Sequence, residues 1–214
     1  MKAGVVVFPG TNCDRDTFMA CEEFGWETEY IWHFETNLEG YDVIFLPGGF
    51  SYGDYIRSGR LAKFSPVMQA VKKFVENKQG FLIGICNGFQ ILCETGLLPG
   101  VLTDNWNTRF ICKTQELKFN NKEIKLPIAH GEGRYLAEPE IMKKLKDNNM
   151  IFLTYQGNPN GSTEDIAGLY DKEQKIIGMM PHPERAFFEA TGNVDGKEIF
   201  KLIQEVMGEQ TCKH

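Results

Sequence analysis

The sequence lacks both a long apolar run and a concentration of basic residues. No stretch approaches the ~18 apolar residues that a membrane-spanning helix needs, and the apolar run near the N-terminus is too short for a signal peptide. The formal net charge is −6 and the lysines are scattered, which argues against nucleic acid or an anionic membrane as a partner. We therefore expect a cytoplasmic protein that binds neither nucleic acid nor membrane.

Metal-binding and phosphate-binding patterns are also missing. The 6 cysteines show neither CxxC spacing nor neighbouring histidine pairs, so we predict no zinc site and expect reduced thiols. The string closest to a GxxxxGK[ST] phosphate-binding loop is GNVDGK, which is one residue short and lacks the hydroxyl residue. We therefore predict neither a metal nor a cofactor in this chain.

Strands alternate with helices in the first half of the chain. At 214 residues, the chain is expected to fold as one domain, residues 1–214, around one core. Apolar residues at helical spacing predict one helix ending at Gly25 and another beginning at Ser65–Pro66. The predicted strands of this half are residues 3–8, 26–32, 42–46 and the run that begins at Phe81. This alternation predicts an α/β fold in which helices cover both faces of a mostly parallel sheet and ligands bind at the carboxyl ends of its strands.

Longer alternating runs in the second half predict an antiparallel excursion. Residues 108–129 contain two such runs joined by Asn120–Asn121, which is a hairpin signal. Residues 165–170 and 175–180 are expected to form a second hairpin. The remaining predicted elements are a helix at 139–146, a strand at 151–155 and a final helix at 197–207.

The segment FLIGICNGFQ, residues 81–90, is the strongest functional signal. Gly84 and Gly88 lie two positions on either side of Cys86, between a buried strand and the start of a helix. This G-x-C-x-G pattern is typical of a nucleophile elbow, a turn so tight that glycines are needed to avoid side-chain clashes. The N-terminus of the following helix favours a thiolate. We therefore predict that Cys86 is a catalytic nucleophile rather than an ordinary core cysteine.

A cysteine nucleophile needs a base, and the chain contains 4 histidines. His182 is the best candidate because prolines flank it in MPHPERA and Glu184, two residues on, can orient its ring. His33, which follows a strand among aromatics, and the terminal His214 are expected to be packing or surface residues. His130, in the loop AHGEGR, remains an alternative whose role the sequence leaves open.

Attack on an amide carbon creates an oxyanion, which each fixed backbone N–H donor stabilises by ~3 kcal/mol. Asn87, directly after the nucleophile, is expected to supply one donor. The turn Pro47-Gly48-Gly49 ends the neighbouring strand, and Gly49 is expected to supply the other. The predicted oxyanion hole therefore comprises Gly49 and Asn87.

GICNGFQ, the upstream PGG and the late HPE triplet together resemble the class I glutamine amidotransferases, and the similarity covers nearly the full length. Within that class, the chain resembles the family of glutaminase subunits of phosphoribosylformylglycinamidine synthases. The strings that carry this second resemblance are FPGTNCDRD, LPGGFSYGDYIRSG, NTRF, AHGEGR, YQGNPNGS and HPERA. The resemblance implies a flavodoxin-like three-layer sandwich and a Cys86–His182–Glu184 triad that hydrolyses glutamine to glutamate and ammonia.

The resemblance also implies which molecules the chain meets. The substrate L-glutamine would be held by Gln90 and by Asn107, Arg109 and Phe110 in the segment 107–110. A separate synthetase subunit would use the ammonia with ATP to convert formylglycinamide ribonucleotide to its amidine in purine biosynthesis, and a small third subunit would complete the complex. ATP and Mg²⁺ are therefore expected on the synthetase partner.

The loop SYGDYIRSG, residues 51–59, directly follows the Gly49 turn and carries Tyr52, Tyr55 and Arg57. Aromatic residues and arginine are the types that anchor interfaces. Because ammonia has to reach a second active site without escaping to water, we predict that the synthetase docks over this edge of the sheet. The alternative is a solvent-exposed connection with incidental aromatics.

Three other functions fit parts of the sequence. Another glutaminase, such as the pyridoxal phosphate synthase subunit, would share the triad but lack SYGDYIRSG and AHGEGR. A chaperone or stress protein on a similar sheet would share the elbow without the HPE triplet, and a binding module would carry a vestigial elbow. An assay of ammonia release from glutamine, with and without a synthetase, distinguishes them.

Overall fold

The structure, a computed structural model, describes the backbone of residues 1–211 and the side chains of residues 1–208. The strands are β1 (Lys2–Val7), β2 (Glu27–Trp32), β3 (Val43–Leu46), β4 (Phe81–Ile85), β5 (Val101–Thr103), β6 (Ile111–Phe119), β7 (Lys122–His130), β8 (Arg134–Leu136), β9 (Ile151–Tyr155), β10 (Ile166–Asp171) and β11 (Ile176–Met179). The α-helices are α1 (Asp14–Glu23), α2 (Pro66–Glu76), α3 (Asn87–Glu94), α4 (Pro139–Asp147) and α5 (Gly196–Thr211). The expectations for Cys212 and His214 lie outside the described residues. Within residues 1–211, no helix combines the length and apolar character needed to cross a membrane.

Nine strands form one central sheet in the order β2-β1-β3-β4-β11-β10-β9-β6-β7. In this order, the first five strands (β2, β1, β3, β4 and β11) are parallel to one another. The remaining four pairings, β11–β10, β10–β9, β9–β6 and β6–β7, are antiparallel. Asn120 and Asn121 turn the β6–β7 hairpin with φ values of 45° and 64°, which suit a two-residue hairpin turn. The predicted α/β fold, with its mostly parallel sheet and antiparallel excursion, is confirmed.

A second, small sheet pairs β5 with β8 and was not predicted. Each of its strands has only 3 residues, too few for alternation to be visible in the sequence. Tyr135 of β8 stacks on Phe89 of α3 with ring centroids 6.1 Å apart, and its hydroxyl donates to the Pro99 carbonyl at 2.8 Å. The small sheet therefore packs against the helix that follows Cys86.

Helices cover both faces of the parallel part of the sheet. Successive side chains of β3 show this directly: Phe45 stacks on Phe200 of α5 with centroids 5.9 Å apart, whereas Leu46 contacts Gly88 of α3. Every residue of β3 and of β4 is buried, as expected for parallel strands enclosed by two helical layers. The chain is therefore a three-layer sandwich.

The carboxyl ends of β1, β3, β4 and β11 lie side by side at one edge of the sheet. They lead into residues 8–13, 47–50, Cys86 and residues 180–184, respectively. Strand pairing thus brings together four segments that are far apart in sequence. The edge that the sequence predicted for ligand binding is where these four segments meet.

Candidate active site

Cys86 occupies the turn between β4 and α3 in a strained backbone conformation. Its φ of 51° and ψ of −104° lie outside the regions that L-residues usually adopt. The glycines two positions before and after Cys86 leave no room for a side chain. A Cβ at Gly84 would lie 2.6 Å from Leu92 Cδ1, and one at Gly88 would overlap the Leu46 carbonyl oxygen. The turn therefore has elbow geometry, with the thiol at the N-terminus of α3.

His182 and Glu184 form a buried pair directly after β11. The two atoms His182 Nδ1 and Glu184 Oε1 are 2.6 Å apart, and each residue is 1% exposed. The His182 backbone N–H donates to the Pro127 carbonyl at 2.8 Å, which fixes the position of the residue. With the Nδ1 proton donated to Glu184, Nε2 is the ring nitrogen left to exchange protons with groups beside it.

The imidazole lies beside the elbow. Gly48 lies between His182 and Cys86 and is in contact with both, since a Cβ at Gly48 would lie 2.7 Å from His182 Cε1 and 3.4 Å from Cys86 Cβ. Although burial disfavours the imidazolium, the negative charges of Glu184 and of the Cys86 thiolate outweigh it and raise the pKa of His182 well above its usual value. The imidazolium form of His182 is therefore favoured, which places a proton donor beside the Cys86 sulfur.

The Gly48–Gly49 peptide is held in a fixed orientation by the loop after β1. The Gly48 carbonyl accepts from the Cys13 backbone N–H at 3.1 Å, and Phe50 N–H donates to the Gly10 carbonyl at 2.9 Å. Because N–H and C=O point in opposite directions in a trans peptide, the Gly49 N–H faces away from the β1 loop. Gly49 and Cys86 line the same cleft, so this donor can serve an oxyanion formed at Cys86.

That cleft has a volume of about 180 Å³ and also contains Gln90 and Phe110. The Gln90 amide is engaged within the chain: it donates to the Glu132 carbonyl at 2.7 Å and accepts from Asn87 Nδ2 at 2.9 Å. Gln90 thus fixes the cleft wall. Phe110 is 55% exposed at the cleft, where a substrate can contact it.

Asn107 and Arg109 do not line the cleft. The Asn107 side chain accepts from the Arg109 backbone N–H at 3.0 Å, which closes a local turn, and the Arg109 carbonyl accepts from Asn105 Nδ2 at 2.8 Å. Of the four residues expected to hold glutamine, the structure therefore brings Gln90 and Phe110 to Cys86. Asn107 and Arg109 shape the loop that carries Phe110.

His130 is also at the cleft but differs from His182. Its Nδ1 lies 3.0 Å from Asn105 Oδ1, and no carboxylate accompanies it as Glu184 accompanies His182. Burial, together with the positive charge of His182, lowers the pKa of His130 to about 4. At neutral pH this imidazole is uncharged and a weak base, so the geometry favours His182 as the proton carrier.

The loop of residues 51–59 contributes both inward and outward side chains. The Tyr52 hydroxyl lies 3.0 Å from His33 Nδ1 and 2.8 Å from Ser65 Oγ, and Arg57 forms an ion pair with Glu94. His33 is therefore a packing residue, as predicted. Tyr55 is 73% exposed and is the aromatic of this loop that a partner can reach.

Cys13, at the end of the β1 loop, was not singled out from the sequence. Its sulfur and atoms of His182 and Glu184 lie within 4.8 Å of one another, a spacing that could hold a metal ion. Arg185 Nη2 donates to the Cys13 sulfur at 2.8 Å, however, and this fixed positive charge disfavours a cation. The pairing of β1 with β3 brings Cys13 to the site, and its place in the string FPGTNCDRD does not by itself reveal a role.

Comparisons with known proteins agree with this geometry. The model of the CobB/CobQ-like glutamine amidotransferase domain family matches residues 1–205. The chain is 49% identical over 216 residues to the phosphoribosylformylglycinamidine synthase subunit PurQ of Prochlorococcus marinus (strain NATL2A), covering 95% of this chain and 99% of that protein. A chain in the structure of PurLQS from Thermotoga maritima matches with a TM-score of 0.86 and 40% identity, covering 95% of this chain and 97% of that one. A glutamine amidotransferase from Thermotoga maritima, with a TM-score of 0.57 and 16% identity over 100% of this chain and 99% of that one, shares the fold.

Proposed function

This chain belongs to the glutamine amidotransferase family, and from that membership we propose that it is the glutaminase subunit of a phosphoribosylformylglycinamidine synthase. It hydrolyses L-glutamine to glutamate and ammonia. A synthetase subunit then uses the ammonia to convert formylglycinamide ribonucleotide to formylglycinamidine ribonucleotide with ATP. The observation that carries the proposal is the strained Cys86 turn beside the buried His182–Glu184 pair.

The first half of the reaction forms a thioester. The Cys86 thiolate attacks the side-chain carboxamide carbon of glutamine, and the negative charge moves to the carboxamide oxygen. The backbone N–H groups of Gly49 and Asn87 stabilise this oxyanion. When the intermediate collapses, the C–N bond breaks, His182 transfers its proton to the leaving nitrogen, and ammonia departs from a γ-glutamyl thioester on Cys86.

The second half releases glutamate. Neutral His182 takes a proton from water, and the resulting hydroxide attacks the thioester carbonyl carbon. The C–S bond then breaks, which returns the thiolate to Cys86 and leaves His182 protonated. Glu184 accepts from Nδ1 throughout, so Nε2 is the atom that exchanges protons with thiol, leaving group and water.

The partners are a small third subunit and a synthetase, as in PurLQS, and we place ATP and Mg²⁺ on the synthetase. Tyr55 and Ile56 are 73% and 80% exposed beside the cleft, and Ile56 has a φ of 76°, which is unfavourable for a β-branched residue. A strained, apolar and exposed loop at the mouth of the site suits a docking surface. We place the protein in the cytoplasm, where free thiols such as Cys13, Cys86 and Cys112 persist.

The proposal is tested by measuring ammonia release from L-glutamine with the purified chain, alone and with its synthetase and small subunits. We expect weak hydrolysis by the chain alone and strong activation in the complex, accompanied by formation of the amidine product. A chain that releases ammonia only with a different synthase would belong to another glutaminase pathway. A chain that releases none in the complex would contradict the proposal.

A further inference from the structure

We propose that Asp54 and Glu132 bind the α-ammonium group of the glutamine substrate, with Nε2 of His130 as a third acceptor. The inference rests on the proposed function, because it concerns how the same site recognises its substrate. It assigns specificity to three side chains that take no part in the cysteine chemistry. An ammonium group offers three N–H donors, and these side chains offer two carboxylates and one lone pair.

The two carboxylates face the same cleft as Cys86. Ser58 links them, since its backbone N–H donates to Glu132 Oε2 at 3.3 Å and its side chain hydrogen-bonds Asp54. Burial raises the pKa of Asp54, and the negative charge of Glu132 adds to the rise, whereas the hydrogen bonds from Ser58 and Gly59 oppose it. No ion pair joins either carboxylate to a cation in the described part of the chain. A bound ammonium would supply the missing positive charge.

His130 provides an independent sign that a donor is missing. Asn105 Nδ2 donates to the carbonyls of Arg109 and His130, both at 2.8 Å, so Asn105 Oδ1 is the acceptor for His130 Nδ1. The proton therefore sits on Nδ1, and the lone pair sits on Nε2, on the side of the ring away from Asn105. His130 is one of the residues that line the cleft, it is 3% exposed, and its Nε2 has no hydrogen-bond partner among the described residues. An unmet buried acceptor is costly unless a ligand supplies the donor.

Helix α3 holds these groups in place relative to the nucleophile. Asn87 Nδ2 lies 3.2 Å from Asp54 Oδ1, and Gln90 Nε2 donates to the Glu132 carbonyl at 2.7 Å. The residues after Cys86 thus hold the Asp54 carboxylate and the backbone of Glu132 in place relative to the thiol. A substrate whose ammonium is bound by Asp54 and Glu132 has its side chain directed toward Cys86, which selects glutamine among primary amides.

The test compares L-glutamine with 4-carbamoylbutyrate, the same amide without the α-amino group, in the reconstituted complex. The variants are Asp54→Asn and Glu132→Gln, which keep shape and remove charge. We expect each to raise KM for L-glutamine by about tenfold or more with a much smaller change in kcat, because charged hydrogen bonds carry that order of affinity. Activity on 4-carbamoylbutyrate should change little, so the ratio of kcat/KM for L-glutamine to kcat/KM for 4-carbamoylbutyrate should fall.

Asp104→Asn is the matched control, because Asp104 is an exposed carboxylate on the same cleft. Removing its charge tests only the general electrostatic attraction between an acidic cleft and a positively charged group. It should change the KM ratio of the two substrates much less. Equal losses on both substrates, or unchanged discrimination in Glu132→Gln with a wild-type unfolding temperature, would overturn the ammonium subsite. A wild-type complex that hydrolyses neither amide would instead contradict the proposed function.

Discussion

Replacing Glu184 by glutamine is expected to change the pH dependence of hydrolysis as well as its rate. The Oε1 atom of Glu184 lies 2.6 Å from Nδ1 of His182, and both residues are almost fully buried. Burial acts to lower the pKa of His182, and the Glu184 carboxylate is the largest influence that raises it. Glutamine keeps the shape of the side chain without the charge, so the pKa of His182 falls in the variant.

The magnitude follows from the hydrogen bond that is weakened. A hydrogen bond to a charged group contributes about 1.5–3 kcal/mol, which corresponds to a loss of roughly 10- to 150-fold in kcat/KM. His182→Ala removes the proton carrier itself and should be more severe. We therefore expect kcat/KM for L-glutamine to be highest in the wild type, lower in Glu184→Gln and lowest in His182→Ala.

The assay is the pH profile of kcat/KM for L-glutamine in the complex. His182 must be protonated to transfer a proton to the leaving ammonia, so activity falls as pH rises through the pKa of His182. A lower pKa moves this alkaline limb to lower pH in Glu184→Gln. An alkaline limb that stays at the wild-type pH would refute the reasoning, and a larger loss of kcat in His130→Ala than in His182→Ala would transfer the base to His130.

Further predictions concern the nucleophile, the elbow and the partner. Cys86→Ala should abolish ammonia release from glutamine, whereas Cys112→Ser, at an exposed free thiol, should leave it unchanged. Ammonia release at the wild-type rate in Cys86→Ala would show that Cys86 is not the nucleophile. Gly88→Ala should lower the free energy of unfolding by roughly 1–3 kcal/mol, because the added Cβ overlaps a backbone carbonyl; denaturant titration measures this, and an unchanged midpoint would contradict it. The double variant Tyr55→Ala and Ile56→Ala should weaken synthetase binding in calorimetry while the chain keeps its unfolding temperature, and unchanged affinity would place the interface elsewhere.

The elements that could be predicted from the sequence are those with a local signal. Gly84 and Gly88 around Cys86 indicate an elbow because each glycine avoids a definite clash, and the structure shows both clashes. Asn120–Asn121 indicates a hairpin because two positive φ angles are needed there. Strand order has no local signal, and the placement of β11 beside β4 follows from the packing of the whole chain.

The same reason explains which site residues escaped notice. Asp54 and Glu132 line the cleft, and Cys13 lies beside His182 and Glu184. Strand pairing and irregular loops bring these residues there, and neither leaves a periodic pattern in the sequence. Arg109 lies in a segment that resembles the family's substrate loop, but a turn closed by the Asn107 side chain directs the loop so that Phe110 faces the cleft instead. Motif resemblance locates such a segment, and backbone geometry decides which of its side chains meets the substrate.

The pairing of β4 with β11 has a consequence for the synthesis of the protein. Cys86 emerges from the ribosome well before His182, and the strand that positions His182 is among the last elements made. A nascent or truncated chain that ends before β11 carries the elbow thiol without its base or the charge that favours the thiolate. Glutamine hydrolysis by the triad therefore requires β11 and the residues after it, which are made only when most of the chain has been synthesised.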